Sequence, residues 1–342
     1  MATLSFGVAG GKPLPEYATL AAMAEAYGFH TLSIFDDLMF KPAWPILFSI
    51  AQHTRRIQIG PSVCNPFLTH PALLAGNAAL LDEMSGGRSY FGIGRGAFLD
   101  FVNVGTPQPI TAVREAIEMA RRLWQGDAAP YHGQVFQATS SAQLQWRPAR
   151  ADIPIMVGTW GPRMSRVAGA VADEVKAGSM WSARYGQMLW EHIAAGARDA
   201  QRDPKQVGLV FGPLTSISDD AHEAREHARR TLAFYLPYLA PMPEFAGMEP
   251  EAVARVQAAT ARGDMAAATA LISDALLGQF ALCGAPRDVI GDIERMTSES
   301  PVTRIEFGMP HGPEGSVKAL QLLGERVLPH VATQRAAKDQ GR

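Results

Sequence analysis

Residues 57–96 read IQIGPSVCNPFLTHPALLAGNAALLDEMSGGRSYFGIGRG, and their pattern decides the fold. Residues 57–60 form a short apolar run ending in Gly-Pro, the mark of a buried strand and its turn. Over 70–84 apolar residues recur at helical spacing until Gly86-Gly87 stops them. Residues 89–93 are again a short apolar run, followed by Gly94-Arg95-Gly96. Strand, helix and strand in sequence make one parallel βαβ unit, whose helix crosses back over the sheet.

The same order repeats on both sides of this unit. Upstream, 4–9 is a strand ending at Gly10-Gly11, 16–27 a helix stopped by Gly28, 31–35 a strand and 43–53 a helix. Downstream, helices are expected over 111–124, 163–171, 187–202, 221–235 and 316–331. Strands are expected over 153–157, 174–177, 207–211 and 303–307, with a β-hairpin excursion over 131–146. Eight strands alternating with helices, in 342 residues, predict a closed (β/α)8 TIM barrel of the α/β class, one domain over 1–342. Residues 236–285 break the rhythm, being Pro-containing, then Ala-rich and helical with no strand. They predict a helical insertion before the last strand, either a lid over the barrel mouth or a packing element.

Composition narrows the function. With 31 basic and 33 acidic side chains the formal charge is −2, which leaves no broad basic footprint for nucleic acid. Cys64 and Cys283 are too few for a disulfide framework or zinc cluster and suit a reducing compartment. The first residues lack the basic start and apolar stretch of a signal peptide, and no apolar run reaches the roughly 18 residues of a membrane span. A soluble cytoplasmic protein acting on a small molecule is expected, with no membrane or nucleic-acid partner and no metal.

Barrel chemistry gathers at the carboxyl ends of the strands. Those ends here are Gly10-Gly11, Asp36-Asp37, Ser62-Val63-Cys64-Asn65, Gly94-Arg95-Gly96, Gly158-Thr159-Trp160-Gly161, Gly178-Ser179-Met180 and Gly308–Gly312 with His311. Small residues dominate, which suits a flat ligand laid against backbone. Gly158-Thr159-Trp160-Gly161-Pro162, between a strand and a helix, is either a phosphate cradle at a helix N-terminus or a tight turn with nothing bound. Gly92-Ile93-Gly94-Arg95-Gly96 lacks the third glycine of a dinucleotide fingerprint at the required offset and follows three other βα units. His222 and His227 flank Glu223 but stand five apart, off a common helical face, so a solvated face is expected. No Gly-x-Ser-x-Gly elbow ends a strand. Lys176, isolated in a strand, is weighed as a Schiff-base lysine against a side chain snorkelling between layers.

Taken in order, Ala26-Tyr27-Gly28-Phe29 with Phe35-Asp36-Asp37, Ile59–Pro66, Asp82–Arg88 with Phe91–Gly96, Pro154–Gly158 with Trp160-Gly161-Pro162, and Phe307–Pro313 carry a likeness across nearly the whole chain. The sequence resembles the luciferase-like superfamily, in the branch that uses the deazaflavin coenzyme F420, and is most similar there to methylenetetrahydromethanopterin reductases. The resemblance implies a (β/α)8 barrel with an insertion near strand seven, and a homodimer. It implies a non-proline cis peptide at Ser62-Val63 whose bulge backs the coenzyme ring, with Cys64 beside it. The phosphate is expected near Trp160-Gly161, with Gly158 and Thr159, and Asp36 is expected to line the ring pocket. Gly94, Arg95, Gly96, Gly178 and Ser179 complete the expected cofactor contacts.

Two positions depart from that pattern. Relatives often carry an Asp-His pair where this chain has Asp36-Asp37, and an acidic residue where it has Ala97. Asp37 and His311 are the acid–base residues expected in their place, and His70 either reaches the ring face or caps its helix. A carboxylic acid serves only if burial raises its pKa towards neutrality. The activity implied is hydride transfer between F420 and a small organic substrate. Its competitors are an FMN-dependent monooxygenase using reduced FMN and oxygen, and a flavin- or deazaflavin-binding protein without catalysis. Basic residues at the mouth (Arg95, Arg163, Lys176, Arg184) favour the anionic tail of F420. Phe6, Phe67, Phe98 and Trp181 suggest an apolar or aromatic substrate.

Overall fold

The computed structural model describes residues 2–333. The chain runs through β1 (Thr3–Val8), β2 (Thr31–Ile34), β3 (Gln58–Pro61) and β4 (Phe91–Gly94), then a small hairpin, β5 (Tyr131–His132) with β6 (Gln137–Ala138). It continues with β7 (Ile155–Gly158), β8 (Glu174–Gly178), β9 (Gly208–Gly212), β10 (Leu214–Ile217), β11 (Ala281–Gly284) and β12 (Arg304–His311). Hydrogen-bonded neighbours follow the order β3-β2-β1-β12-β9-β8-β7-β4, all parallel. Bridges from Ile59 to Ser89 and from Cys64 to Ile93 bring β4 back to β3, so the eight expected strands close into a barrel.

The strands are short and buried along their length, as Thr31–Ile34 shows, because helices cover the outside and side chains fill the inside. The helices Leu14–Tyr27, Ala43–His53, Pro71–Ser85, Pro109–Gln125, Pro162–Val171, Ala183–Asp199 and Ala221–Tyr235 form that cover. Several open on proline, whose missing N–H costs nothing in the first turn. Gly28 and Gly86 end two of them at φ 87° and 68°, left-handed caps that a residue with a Cβ resists. Phe6, Leu32, Ile59 and Phe91 are fully buried. Each such side chain contributes about 1.5–3 kcal/mol relative to exposure.

One expectation fails. Residues 236–285 are not free of strand, because β11 lies inside them. Ala281-Leu282-Cys283-Gly284 follows the helix Asp274–Phe280 without a turn residue, so its sequence reads as more helix. Pairing with β10 decides the matter, with Leu214 opposite Ala281 and Ile217 opposite Gly284. β10 was also unforeseen. It follows β9 across Pro213 and diverges to pair with the upper half of β12, while β9 holds the lower half. The rest of the insertion is helical: Met242–Phe245, Pro250–Ala261 and Met265–Ala270 precede the helix that leads into β11. Among the described residues no helix is long and apolar enough to cross a membrane.

Candidate active site

Parallel strands deliver their carboxyl ends to one face, and the floor of that face begins at β3. The Ser62–Val63 peptide is cis. A methyl placed on Gly94 would lie 2.8 Å from Val63 Cγ2, and one on Gly158 would lie 3.0 Å from both Val63 methyls. The glycines ending β4 and β7 therefore seat the Val63 side chain between them. Gly96, at φ 89°, is held against the Asn65 side chain in the same way. Asn65 anchors its own loop by accepting from the N–H groups of Phe67 (3.1 Å) and Leu68 (3.0 Å).

The next two strand ends are open. A Cβ on Gly161 would meet nothing within 4 Å, and one on Gly178 only Trp160 Nε1 at 4.0 Å. Gly161 donates to Thr159 Oγ1 at 3.2 Å, and no side chain caps the helix Pro162–Val171 that follows. Its first N–H groups are thus available to an anion. Ser179 adopts a left-handed φ of 65° with its N–H on Gly212 O at 2.7 Å. Arg95, Arg163 and Arg184 are exposed at these turns.

The acidic corner stands at the end of β2. Asp36 accepts the Ala43 N–H at 3.0 Å, and burial raises its pKa against that bond. Asp37 is pushed up to about 6, mainly by burial and further by Asp36, with Lys176 pulling the other way. Tyr235, from the helix Ala221–Tyr235, faces the same corner, since the Asp37 charge adds to the burial that raises its pKa. Rings gather at the rim: Phe98 lies 5.2 Å from Phe101 and 6.5 Å from Tyr238, and Phe234 6.4 Å from Tyr238, centroid to centroid. Phe101, Phe234 and Tyr238 are exposed there.

Several expected site residues are placed elsewhere. His311 is buried, stacked on Phe6 at 4.2 Å, with Nε2 2.8 Å from Gly7 O and Nδ1 2.7 Å from Ser316 Oγ. A carbonyl only accepts, so Nε2 carries the proton and Nδ1 accepts from Ser316; burial pushes the pKa down to about 3. It has no free nitrogen and no proton to give near neutrality. His70 is the N-cap of Pro71–Ser85, its Nδ1 accepting the Ala72 N–H at 3.2 Å. Cys64 turns its thiol into the wall, donating to Gly92 O at 3.0 Å. Phe6 and Trp181 are buried in the core.

Lys176 is neither at the mouth nor a free amine. It is buried, ion-paired to Glu306, 2.5 Å from Ser62 Oγ and 4.7 Å from the Phe35 ring centroid. Burial pulls the Lys176 pKa below the ordinary lysine value and the Glu306 carboxylate pushes it back up, so the nitrogen is held in an ion pair and is not a free Schiff-base nucleophile. The signal for this pair was present: Lys176 and Glu306 each interrupt an apolar strand at an inward position. His227 Nδ1 lies 3.1 Å from Ser216 Oγ, and among the described residues no cluster of three or more His, Cys, Asp or Glu could hold a metal. A separate open hollow of about 750 Å³ lies between the starts of Ala221–Tyr235 and Pro286–Glu299, where Arg326 pairs with Asp219.

Compared with known proteins, residues 3–304 match the luciferase-like monooxygenase family. The 5,10-methylenetetrahydromethanopterin reductase of Methanolobus tindarius is 30% identical over 95% of this chain and all of its own length. The reductase of the same name from Archaeoglobus fulgidus is 32% identical over 90% of this chain and 93% of its own. The solved coenzyme F420-dependent tetrahydromethanopterin reductase of Methanopyrus kandleri superposes with a TM-score of 0.88 at 27% identity, covering 96% of this chain and 99% of that one.

Proposed function

This chain belongs to the luciferase-like monooxygenase family, and we propose that within it the protein is an F420-dependent oxidoreductase acting on a small organic substrate. The observation that carries the proposal is the end-to-end likeness to an F420-dependent reductase. The strand ends fit such a coenzyme. Val63 is seated as a ridge, and the flanking Gly161 and Gly178 leave open what a Cβ would fill. The uncapped helix start at Gly161 suits a phosphate, and exposed Arg95, Arg163 and Arg184 suit an anionic tail.

When bound, the deazaflavin supplies two-electron hydride chemistry. The protein's part is to bind, orient and supply a proton. Val63 would back the ring, with Gly94 and Gly158 keeping the ridge in place. Asp36, Thr159, Trp160, Gly161, Gly178 and Ser179 would hold the coenzyme. Asp37, with its pKa raised to about 6, can give a proton to the oxygen or nitrogen of a C=O or C=N group whose carbon receives hydride, or take that proton back when the carbon gives hydride up in the reverse direction. The aromatic rim of Phe98, Phe101, Phe234 and Tyr238 favours an apolar or aromatic substrate. Leu73 and Leu80, exposed and seven apart on Pro71–Ser85, share one face and support a homodimer, which sedimentation equilibrium at micromolar protein would test.

Fluorescence titration with oxidised F420 and, separately, with FMN tests the function. Quenching of F420 at micromolar concentration with no response to FMN is expected. Tight FMN binding with no response to F420 would sink the proposal in favour of the monooxygenase chemistry. Hydride exchange between bound F420 and any substrate would exclude a purely binding role.

A further inference from the structure

Barrel interiors are filled mostly by branched apolar side chains. This one carries a chain of ionised groups instead. Glu174 begins β8 and receives two hydrogen bonds from Arg304, which begins β12. Glu306, two residues along β12 and facing the same way, stands 3.8 Å from Arg304 and accepts from Ser33 Oγ at 2.6 Å. Lys176, two residues along β8, pairs with Glu306 and reaches Ser62 Oγ at 2.5 Å. Space for it is provided: a methyl on Gly7 would lie 2.6 Å from Glu306 Oε1, and one on Gly212 3.0 Å from Lys176 Cε.

An ion pair needs no third partner, yet this one ends on the residue that precedes the Val63 ridge. An ammonium has three hydrogens. Glu306 and Ser62 each take a bond, and the Phe35 ring lies 4.7 Å from the nitrogen, two residues before Asp37. We propose that Lys176 is a positioning residue of the pocket, fixing the Ser62 hydroxyl behind the floor and placing a positive charge beside the Asp36–Asp37 corner. Coenzyme affinity and the proton affinity of Asp37 then both depend on a side chain that touches neither coenzyme nor substrate. The first dependence rests on the F420 reading above; the second does not.

The charged and titratable groups facing Asp37 are Asp36 on its own loop, Lys176 on β8 and Tyr235 on the helix Ala221–Tyr235. Those facing Lys176 are Glu306 and Arg304 on β12 and Asp37 on the β2 loop. Removing the ammonium therefore raises the Asp37 pKa, and removing the Glu306 charge while keeping the ammonium lowers it. A role in packing alone predicts no such opposition.

The experiment uses the full chain, without cofactor, labelled with 13C at aspartate carboxyls and assigned through Asp37→Asn. Lys176→Met alone strands a buried Glu306 charge, so the test variant is Lys176→Met combined with Glu306→Gln, set against Glu306→Gln alone. In the double variant Asp37 is expected to titrate about one unit higher than in Glu306→Gln alone, the two differing only in the ammonium. In the single variant it titrates lower than in the native protein. Oxidised F420 is expected to bind the double variant roughly fivefold more weakly, the loss of one hydrogen bond's ordering. An Asp37 titration that is the same in the two variants overturns the electrostatic half, and an unchanged F420 affinity overturns the half concerning the floor. A native protein that ignores F420 would overturn the proposed function, and the Asp37 titration would then decide this inference alone.

Discussion

Asp37 is the residue on which chemistry and stability pull apart. Its pKa rises from 3.8 to about 6, with burial the largest cause. A raised carboxyl pKa means that the folded chain holds the proton more tightly than the unfolded chain. The stabilisation from the neutral form is complete below about pH 4 and is lost as pH climbs through 6. Asp37→Asn is therefore expected to stabilise the protein at pH 8 by about 1–2 kcal/mol, reduced from the full linkage value by the solvent that reaches a half-buried group, and to change little at pH 4. Urea melts at both pH values check this. The same variant is expected to lower kcat by about a hundredfold or more, because a general acid typically contributes that much. In the native enzyme the reducing direction should fade above about pH 6, where Asp37 gives up its proton. Sequence names Asp37 as a candidate because it stands where similar sequences carry the histidine of an Asp-His pair. It could not exclude His311, because what disables that imidazole is Gly7 O, 304 positions away.

The turns between strand and helix are where the element-level predictions lie. Gly161 has an extended φ of −109°, which any residue adopts, and an open Cβ direction. Gly161→Ala should leave the melting temperature within about a degree of native, since substitutions away from packed contacts cost little. It should weaken F420 binding roughly tenfold by placing a methyl where backbone must approach a ligand closely. Gly94→Ala differs in kind, because its methyl would meet Val63 at 2.8 Å and Gly158 O at 2.9 Å. That variant is expected to lose about 1–3 kcal/mol as well as binding, so the pair separates a cradle glycine from a packing glycine by melting and titration. His70→Ala should cost about 1 kcal/mol, the value of a lost helix cap, and leave F420 affinity within twofold. The eight ring strands were legible for the same local reason as these turns: short apolar runs closed by small residues. β10 and β11 were not, because Leu214–Ile217 follows β9 after one proline and Ala281–Gly284 continues an alanine-rich helix. Their pairing with each other, and that of β10 with β12, makes them strands, and pairing across some 65 residues leaves no local trace.

At the scale of the whole barrel the ring is not equally strong all round. β1 and β12 are joined along four residue pairs and β8 and β9 along five, whereas β3 and β4 meet through two isolated bridges. The hydrogen bonds at the upper end of that seam are Cys64 N–H to Gly92 O at 3.0 Å and Gly94 N–H to Cys64 O at 2.9 Å. Both flank Val63, the ridge proposed to back the coenzyme. Gly94 of β4 and Gly158 of β7 close on that ridge at the end of β3, so a ligand resting there ties the two sides of the seam together. A ligand that binds only the folded state stabilises it by about 2.7 kcal/mol at one hundred times its dissociation constant. Local opening is reduced most where the contacts are added. F420 is therefore expected to raise the melting temperature and to slow hydrogen exchange at the Cys64 and Gly94 amides more than at β1 and β2. FMN at the same concentration should do neither. Exchange measured by mass spectrometry on peptides spanning 60–66 and 91–97 would read the seam, and uniform protection around the ring would refute a binding site centred on Val63.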